Sequence, residues 1–212
     1  MIYVYVADIT NLPDPEKQPE FLKKLPIERQ EKIQKSRQEK SRKQSMGAGL
    51  LLQKVLALYH MDKVALSVGE HGKPMIDGLE FSLSHSGNMV ICAVSDKPVG
   101  CDVEELRKAP KGVAKRYFSE NEKEYLNQFN GEDYDTAFFR LWTMKESYVK
   151  MTGEGMGVPF EAYEIALEDS GARVIRDGET QECYISEVEV PGYNISICAK
   201  ESAHLEIIWQ KL

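Results

Sequence analysis

Four residues in two short stretches have the type and spacing to work on a phosphate ester. Glu146 and Lys150 stand four apart in LWTMKESYVK, so a helix places carboxylate and ammonium on one face, with Trp142 one turn earlier on the same line. Asp102 and Glu104 in GCDVEEL stand two apart, so a strand points both the same way. Two carboxylates on one face repel unless a cation or solvent screens them. If the strand faces the helix, Glu146 completes a set of three oxygen ligands for a hard ion. Mg2+ suits that set, because it typically takes one or two carboxylates, waters and substrate phosphate oxygens. Each pair alone also has a plain reading, as a surface ion pair beside a core Trp and as a solvated strand edge.

Other chemistry-bearing residues narrow the choice. Ser84 and His85 in SLSHSG are adjacent, so a strand sends them to opposite faces, and no G-x-S-x-G elbow accompanies them; a serine hydrolase is rejected. His85 is then either a half-buried structural histidine or a donor to a phosphate. The glycine-rich TGEGMGVP follows a helical stretch and does not precede one, so it reads as a helix cap and hinge. Cys92, Cys101, Cys183 and Cys198 lie in strand-like runs without C-x-x-C spacing, the pattern of reduced core thiols and not of a zinc site.

Charge is unevenly spread. The 212 residues carry a formal net charge of −7, which argues against general nucleic-acid binding by the whole surface. Between Lys17 and Lys43, however, ten Lys or Arg face four Glu, a basic patch able to attract a polyanion locally. The composition, 42% hydrophobic and 29% charged, is that of a soluble globular chain, and no apolar run approaches the roughly 20 residues a membrane span needs. MIYVYVADIT reads as a strand and not as a secretory signal, which makes the cytoplasm the expected location.

The positioning elements follow from periodicity. Residues 2–7 alternate as a strand; from Pro26 a helical pattern with a basic face runs to about Tyr59, interrupted near Arg37, with Leu50, Leu51, Val55 and Leu58 as its buried stripe. A short strand at 64–68 leads into the GEHGKP loop with Lys73 at its tip. Residues 81–86, 89–94 and 99–104 read as three strands of an antiparallel meander. Residues 109–127 read as a helix in which Ser119 and Glu122 fit a capping box, and the central helix begins near Asp133 or Asp135. Strands return at 163–167, 172–175, 183–190, 193–199 and 205–209. SGNMVICAVSDKPVGCDVEEL is echoed by PGYNISICAKESAHLEIIWQKL, which suggests an α+β chain of two similar lobes, 1–106 and 107–212, related by a pseudo-twofold axis near Leu106–Gly112 with the site in the cleft between them.

GKP (72–74), FSLSHSG (81–87), VGCDVE (99–104), RYFSENE (116–122) and LWTMKESYVK (141–150) resemble, in order and spacing, the 4′-phosphopantetheinyl transferases of the surfactin-synthetase-activating type. The resemblance covers most of the chain from Pro26 to Gly192, and the G-x-D-x-E with W-x-x-K-E-x-x-x-K pair is its specific part. It implies a pseudo-dimer that binds coenzyme A and Mg2+ and moves the phosphopantetheine arm to a serine of an apo acyl-carrier or peptidyl-carrier protein, releasing adenosine 3′,5′-bisphosphate. By motif position Asp102, Glu104 and Glu146 would hold the metal, Glu146 would also act as general base, and Lys150 would neutralise the pyrophosphate. Ser84 and His85 would meet the 3′-phosphate, Lys73 and Pro74 would flank the adenine, and Arg29 and Lys32 match two cationic positions. Arg42, Lys43 or Gln44 would fill the next phosphate contact, and Glu122 matches an acidic position of the family, with the helix cap left open as its whole role. With both lobes on one chain a monomer is expected, with no nucleic acid or membrane as partner. A non-catalytic coenzyme A or carrier-binding protein is the alternative, separated from the enzyme by turnover; a basic-helix nucleic-acid binder is a third reading.

Overall fold

The computed structural model describes residues 1–62, 64–169 and 171–212, with every side chain among them except those of Glu28 and Met156. Alternation builds the first sheet. In β1 (Ile2–Asp8), Ile2, Val4 and Val6 face one way and Tyr5 and Ala7 the other, and all five are buried. A strand buried on both faces belongs inside a sheet. β1 lies between β12 (Leu205–Trp209), its parallel neighbour, and β5 (Met89–Ser95), its antiparallel one, with β4 (Glu80–Ser86) beyond β5. On one face, α1 (Ile27–Gln34) and α2 (Glu39–Leu58) share a core with this sheet, through Ile33, Met46, Leu51 and Val55 against Tyr5, Ala7, Cys92 and Val94.

The second sheet runs β10 (Tyr184–Val190), β11 (Tyr193–Ala199), β6 (Val99–Glu105), antiparallel throughout. Cys101, Val103, Ile195 and Ile197 on its inner face meet Val4, Val6 and Ile91 of the first sheet in a shared core. Its outer face packs on α5 (Gly131–Thr152), with Cys198 among Leu141, Met144 and Tyr148. The layers are therefore helix, sheet, sheet, helix. A small sheet of β7 (Tyr163–Glu168), β8 (Gly171–Arg176) and β9 (Glu179–Thr180) joins α5 in its core, together with α3 (Val113–Tyr117) and α4 (Glu120–Leu126). β2 (Ser67–Val68) and β3 (Pro74–Met75) form a separate hairpin. Among the described residues no helix is long and apolar enough to cross a membrane.

The α+β class holds, and several local expectations change, among them Leu58 of the expected buried stripe, which is exposed. Residues 81–104 are not one meander: β4 and β5 form a hairpin, but β1 occupies the other edge of β5, and β6 pairs with β11 in the second sheet. β12 makes the reciprocal move, leaving β11 for the edge of β1. The run 109–127 breaks at an extended Phe118, because Ser119 caps a new helix with both halves of its box formed by Glu122. The 64–68 strand contracts to β2, and Lys73 is not a free loop tip: its ammonium donates to the carbonyls of Lys150 (2.9 Å) and Val99 (3.4 Å).

β6 lies tightly against α5 because residue 100 is glycine. A Cβ there would overlap the Ser147 carbonyl oxygen and the Met151 amide nitrogen, both backbone atoms. Gly100→Ala is expected to cost about 3 kcal/mol, the upper end of ordinary overpacking, read as a fall in the urea midpoint at constant slope.

The gap between α1 and α2 is tied by Arg42. Its guanidinium donates to both carboxylate oxygens of Asp14 (3.1 and 2.9 Å) and to the carbonyls of Ser36 and Arg37. Arg42 holds the Asp14 carboxyl below its ordinary 3.8. A carboxylate depressed in the folded state stabilises above its unfolded value and loses that contribution as pH falls through the folded one. Asp14→Asn is therefore expected to be less stable than the parent at neutral pH, with the gap closing below about pH 4. Urea titrations at a series of pH values check this; a gap that persists in strong acid would assign the loss to packing.

Candidate active site

The site lies where the edges of the two sheets meet beside the last turns of α5. Ser82, Ser84 and Ser86 share one face of β4, and their hydroxyls bridge to β6 where no ladder exists. Ser82 Oγ accepts from the Cys101 amide (3.0 Å) and Ser86 Oγ from the Glu105 amide (3.1 Å). Ser84 Oγ donates to Asp102 Oδ1 (2.7 Å) and Ser86 Oγ to Glu104 Oε2 (2.6 Å). The alternating serines thus hold the alternating carboxylates.

From α5, Lys150 Nζ donates to Asp102 Oδ1 (2.7 Å) and to Ser84 Oγ (3.0 Å). Burial opposes the charge on Lys150, but Asp102, Cys101 and Glu146 together outweigh it and the ammonium is held above its ordinary value. Asp102 is buried; burial raises its carboxyl against the pull of Lys150 and Ser84, and Glu104 adds to the rise. Its second oxygen, Oδ2, is buried without a hydrogen-bond partner among the described residues. Glu146 is pushed up to about 7, first by burial and then by the charges of Asp102 and Glu104, against the opposing Lys150. Three carboxylates therefore feel one another here, with Lys150 as their counter-charge.

Among the described residues no three His, Cys, Asp or Glu side chains stand close enough to cage an ion as they are. Their chemistry nonetheless fits a hard divalent cation. All the donors are carboxylate oxygens, one buried oxygen on Asp102 has no partner, and burial together with the charges of Asp102 and Glu104 raises the Glu146 carboxyl, a cost that a bound cation would relieve.

The remaining sequence candidates distribute unevenly. Lys73 and Pro74 line a cavity of about 220 Å³ together with Phe81, Ser82, Val149 and Lys150. Burial lowers the Lys73 ammonium, whose two carbonyl bonds leave one N–H free. His85, opposite to Ser84 across β4, is exposed; the surrounding protein and the charges of Lys150 and Arg29 hold its imidazole below the ordinary value. Arg29, on α1, donates to the Ser45 carbonyl (3.2 Å), and its Nε is buried without a partner among the described residues, so burial lowers the guanidinium. Lys32, one turn on, is exposed. Of the three alternatives on α2, Arg42 is committed to Asp14, Lys43 donates to the Thr10 carbonyl, and Gln44 donates to the Gly87 carbonyl beside the site.

Glu122 and Lys145 are a structural pair. Both are fully buried, and Lys145 Nζ donates to Glu122 Oε1 (2.8 Å), Glu122 Oε2 (3.0 Å) and the Tyr163 carbonyl (2.7 Å). Glu122 also accepts from the Ile165 and Ser119 amides. Every donor of the ammonium is used, and the acid has a role well beyond its cap. Trp142 packs among Tyr117, Phe118, Phe138 and Phe160.

Residues 98–198 match the profile of the 4′-phosphopantetheinyl transferase superfamily. The chain is 32% identical over 187 residues to the 4′-phosphopantetheinyl transferase Sfp of Bacillus subtilis, covering 84% of each chain. It is 32% identical over 153 residues to the 4′-phosphopantetheinyl transferase gsp of Aneurinibacillus migulanus, covering 71% of this chain and 65% of that one. A holo-(acyl-carrier-protein) synthase from Bacillus anthracis, solved in complex with CoA (3′,5′-ADP), overlaps 50% of this chain and 96% of its own at a TM-score of 0.43 and 23% identity. The span matched by the profile contains β6 and α5, the elements that carry Asp102, Glu104, Glu146 and Lys150, and the Bacillus subtilis relative aligns along most of both chains: this protein belongs to the 4′-phosphopantetheinyl transferase superfamily.

Proposed function

We infer that this protein transfers the 4′-phosphopantetheine arm of coenzyme A to a serine of an apo acyl-carrier or peptidyl-carrier protein, releasing adenosine 3′,5′-bisphosphate. The observation that carries this reading is the meeting of Asp102, Glu104, Glu146 and Lys150 at one edge of the fold in a member of that superfamily.

Glu146 takes the proton of the carrier serine as its oxygen bonds to the phosphorus that bears the pantetheine arm. A carboxylate within hydrogen-bond reach of the serine hydroxyl, or linked to it by one water, can take that proton as the attack proceeds. The bond from that phosphorus to the bridging oxygen breaks, and the nucleotide leaves with the electron pair. Lys150 balances the negative charge of the pyrophosphate as it shifts toward the leaving group. Mg2+, when held by Asp102, Glu104 and Glu146, would act as a Lewis acid on the pyrophosphate oxygens. Lys73 and Pro74, in the wall of the 220 Å³ cavity, flank the adenine, and the 3′-phosphate is met by Arg29 and Lys32 as cations and by Ser84 and His85 of β4 as hydrogen-bonding groups. The lobes 1–106 and 107–212 flank the cleft in this reading, and the chain works as a cytoplasmic monomer, so light scattering should return a mass near 24.1 kDa.

The test is intact mass of apo acyl-carrier and peptidyl-carrier proteins after incubation with this protein, coenzyme A and Mg2+. A gain of one phosphopantetheine arm, absent with chelator, is the expected result. No gain on either carrier, with coenzyme A still bound, would turn the reading to a coenzyme A-binding protein without turnover.

A further inference from the structure

Two of the three carboxylates of β6, Asp102 and Glu104, are held in the same way. Asp102 gives one oxygen, Oδ1, to a serine and a cation, Ser84 and Lys150, and keeps Oδ2 without a partner. Glu104 likewise gives one oxygen, Oε2, to a serine and a cation, Ser86 (2.6 Å) and Arg107 Nη1 (2.8 Å). Its Oε1 has no hydrogen-bond partner among the described residues.

Arg107 is itself fixed by contacts that do not involve Glu104. The same Nη1 donates to the Glu105 carbonyl at 2.8 Å, and the guanidinium lies over the Phe139 ring, 4.6 Å from its centroid. An arginine seated on an aromatic face and a backbone carbonyl does not swing away when the carboxylate finds another partner.

We propose that Arg107 is a positioning residue: with Ser86 it clamps Glu104 Oε2 so that only Oε1 is offered to a divalent cation, the counterpart of the Ser84 and Lys150 clamp on Asp102. The inference rests on the metal reading given above and names a residue that takes no part in the transfer itself. Its effect on cation affinity has two opposing components. Loss of Arg107 removes a like charge near the ion, but at a half-exposed position in salt that repulsion is screened to a few-fold in affinity. Loss of an outer hydrogen bond to a ligating carboxylate typically weakens binding about 10–100-fold. Positioning outweighs repulsion.

Mn2+ is the probe, titrated into the purified full-length protein with the free ion counted by its electron paramagnetic resonance signal. Arg107→Gln is expected to weaken binding about 10-fold, with the melting temperature lowered by no more than about 2–4 °C for its lost contacts to Phe139 and the Glu105 carbonyl. Ser86→Ala should weaken it in the same direction, and Arg107→Lys should recover part of the loss, since an ammonium can reach Glu104 but lacks the fork and the aromatic seat. Asp102→Asn serves as the control that locates the ion. Unchanged or tighter binding in Arg107→Gln, with wild-type binding intact and lost in Asp102→Asn, overturns the clamp alone. Absence of Mn2+ binding to the wild type overturns the metal reading and the clamp with it.

Discussion

Glu146→Gln is expected to lower phosphopantetheine transfer by about 10²–10⁴-fold, the range general-base catalysis contributes, while leaving coenzyme A binding within a few-fold of the parent. The amide keeps the size of the side chain but cannot take the proton of the carrier serine, and it is a poorer ligand for a hard cation. Single-turnover mass spectrometry of an apo carrier, beside calorimetric titration of coenzyme A, separates the two quantities. The folded protein without metal should be no less stable than the parent, because burial and the charges of Asp102 and Glu104 already oppose the ionised form of Glu146. Transfer at the parental rate would remove both the base and the ligand role from Glu146.

Lys145→Ala, one residue earlier, should act on stability. Removing Lys145 leaves Glu122 as a fully buried carboxylate without its cation and strips the Tyr163 carbonyl of a donor, so a loss of about 3–5 kcal/mol is expected. The double variant Glu122→Gln with Lys145→Met should recover part of it, because an uncompensated buried charge costs more than two neutral groups of similar shape. Urea unfolding of the parent, the single and the double variant checks the order. A double variant no better than Lys145→Ala would show that the loss comes from packing around Phe118 and Tyr163, both of which the ammonium overlies.

Much of the local structure was legible in the sequence. The helix pair broken near Arg37, the β4–β5 hairpin and the central helix follow from periodicity, and the α+β class follows from their order. Pairing was less legible. Nothing in VGCDVEE says which edge it will occupy, and a strand pattern that reads as the third of a meander serves equally well beside β11. The contrast between Glu146 and Lys145 is instructive in the same way. Glu146 is marked by its spacing from Lys150, whereas Lys145 looks like a surface lysine unless one notices that Leu141, Thr143, Met144, Ser147 and Tyr148 around it all belong to a helix buried on most sides. A lysine in such a helix must find an acid, and Glu122, hidden behind its cap, is that acid. Arg107 carries no sequence signal at all, because its meaning depends on the ring of Phe139 and on which oxygen of Glu104 it meets.

The reciprocal crossing of β6 and β12 also sets a timetable. The edge of the first sheet pairs residues 2–6 with residues 205–209, so that contact can form only after about two hundred intervening residues have been made. Until then β1, paired with β5 on one side, leaves its other edge open, a state prone to mispairing with other chains. Synthesis of β12, and not of the residues that bear the chemistry, is the step that closes the first sheet.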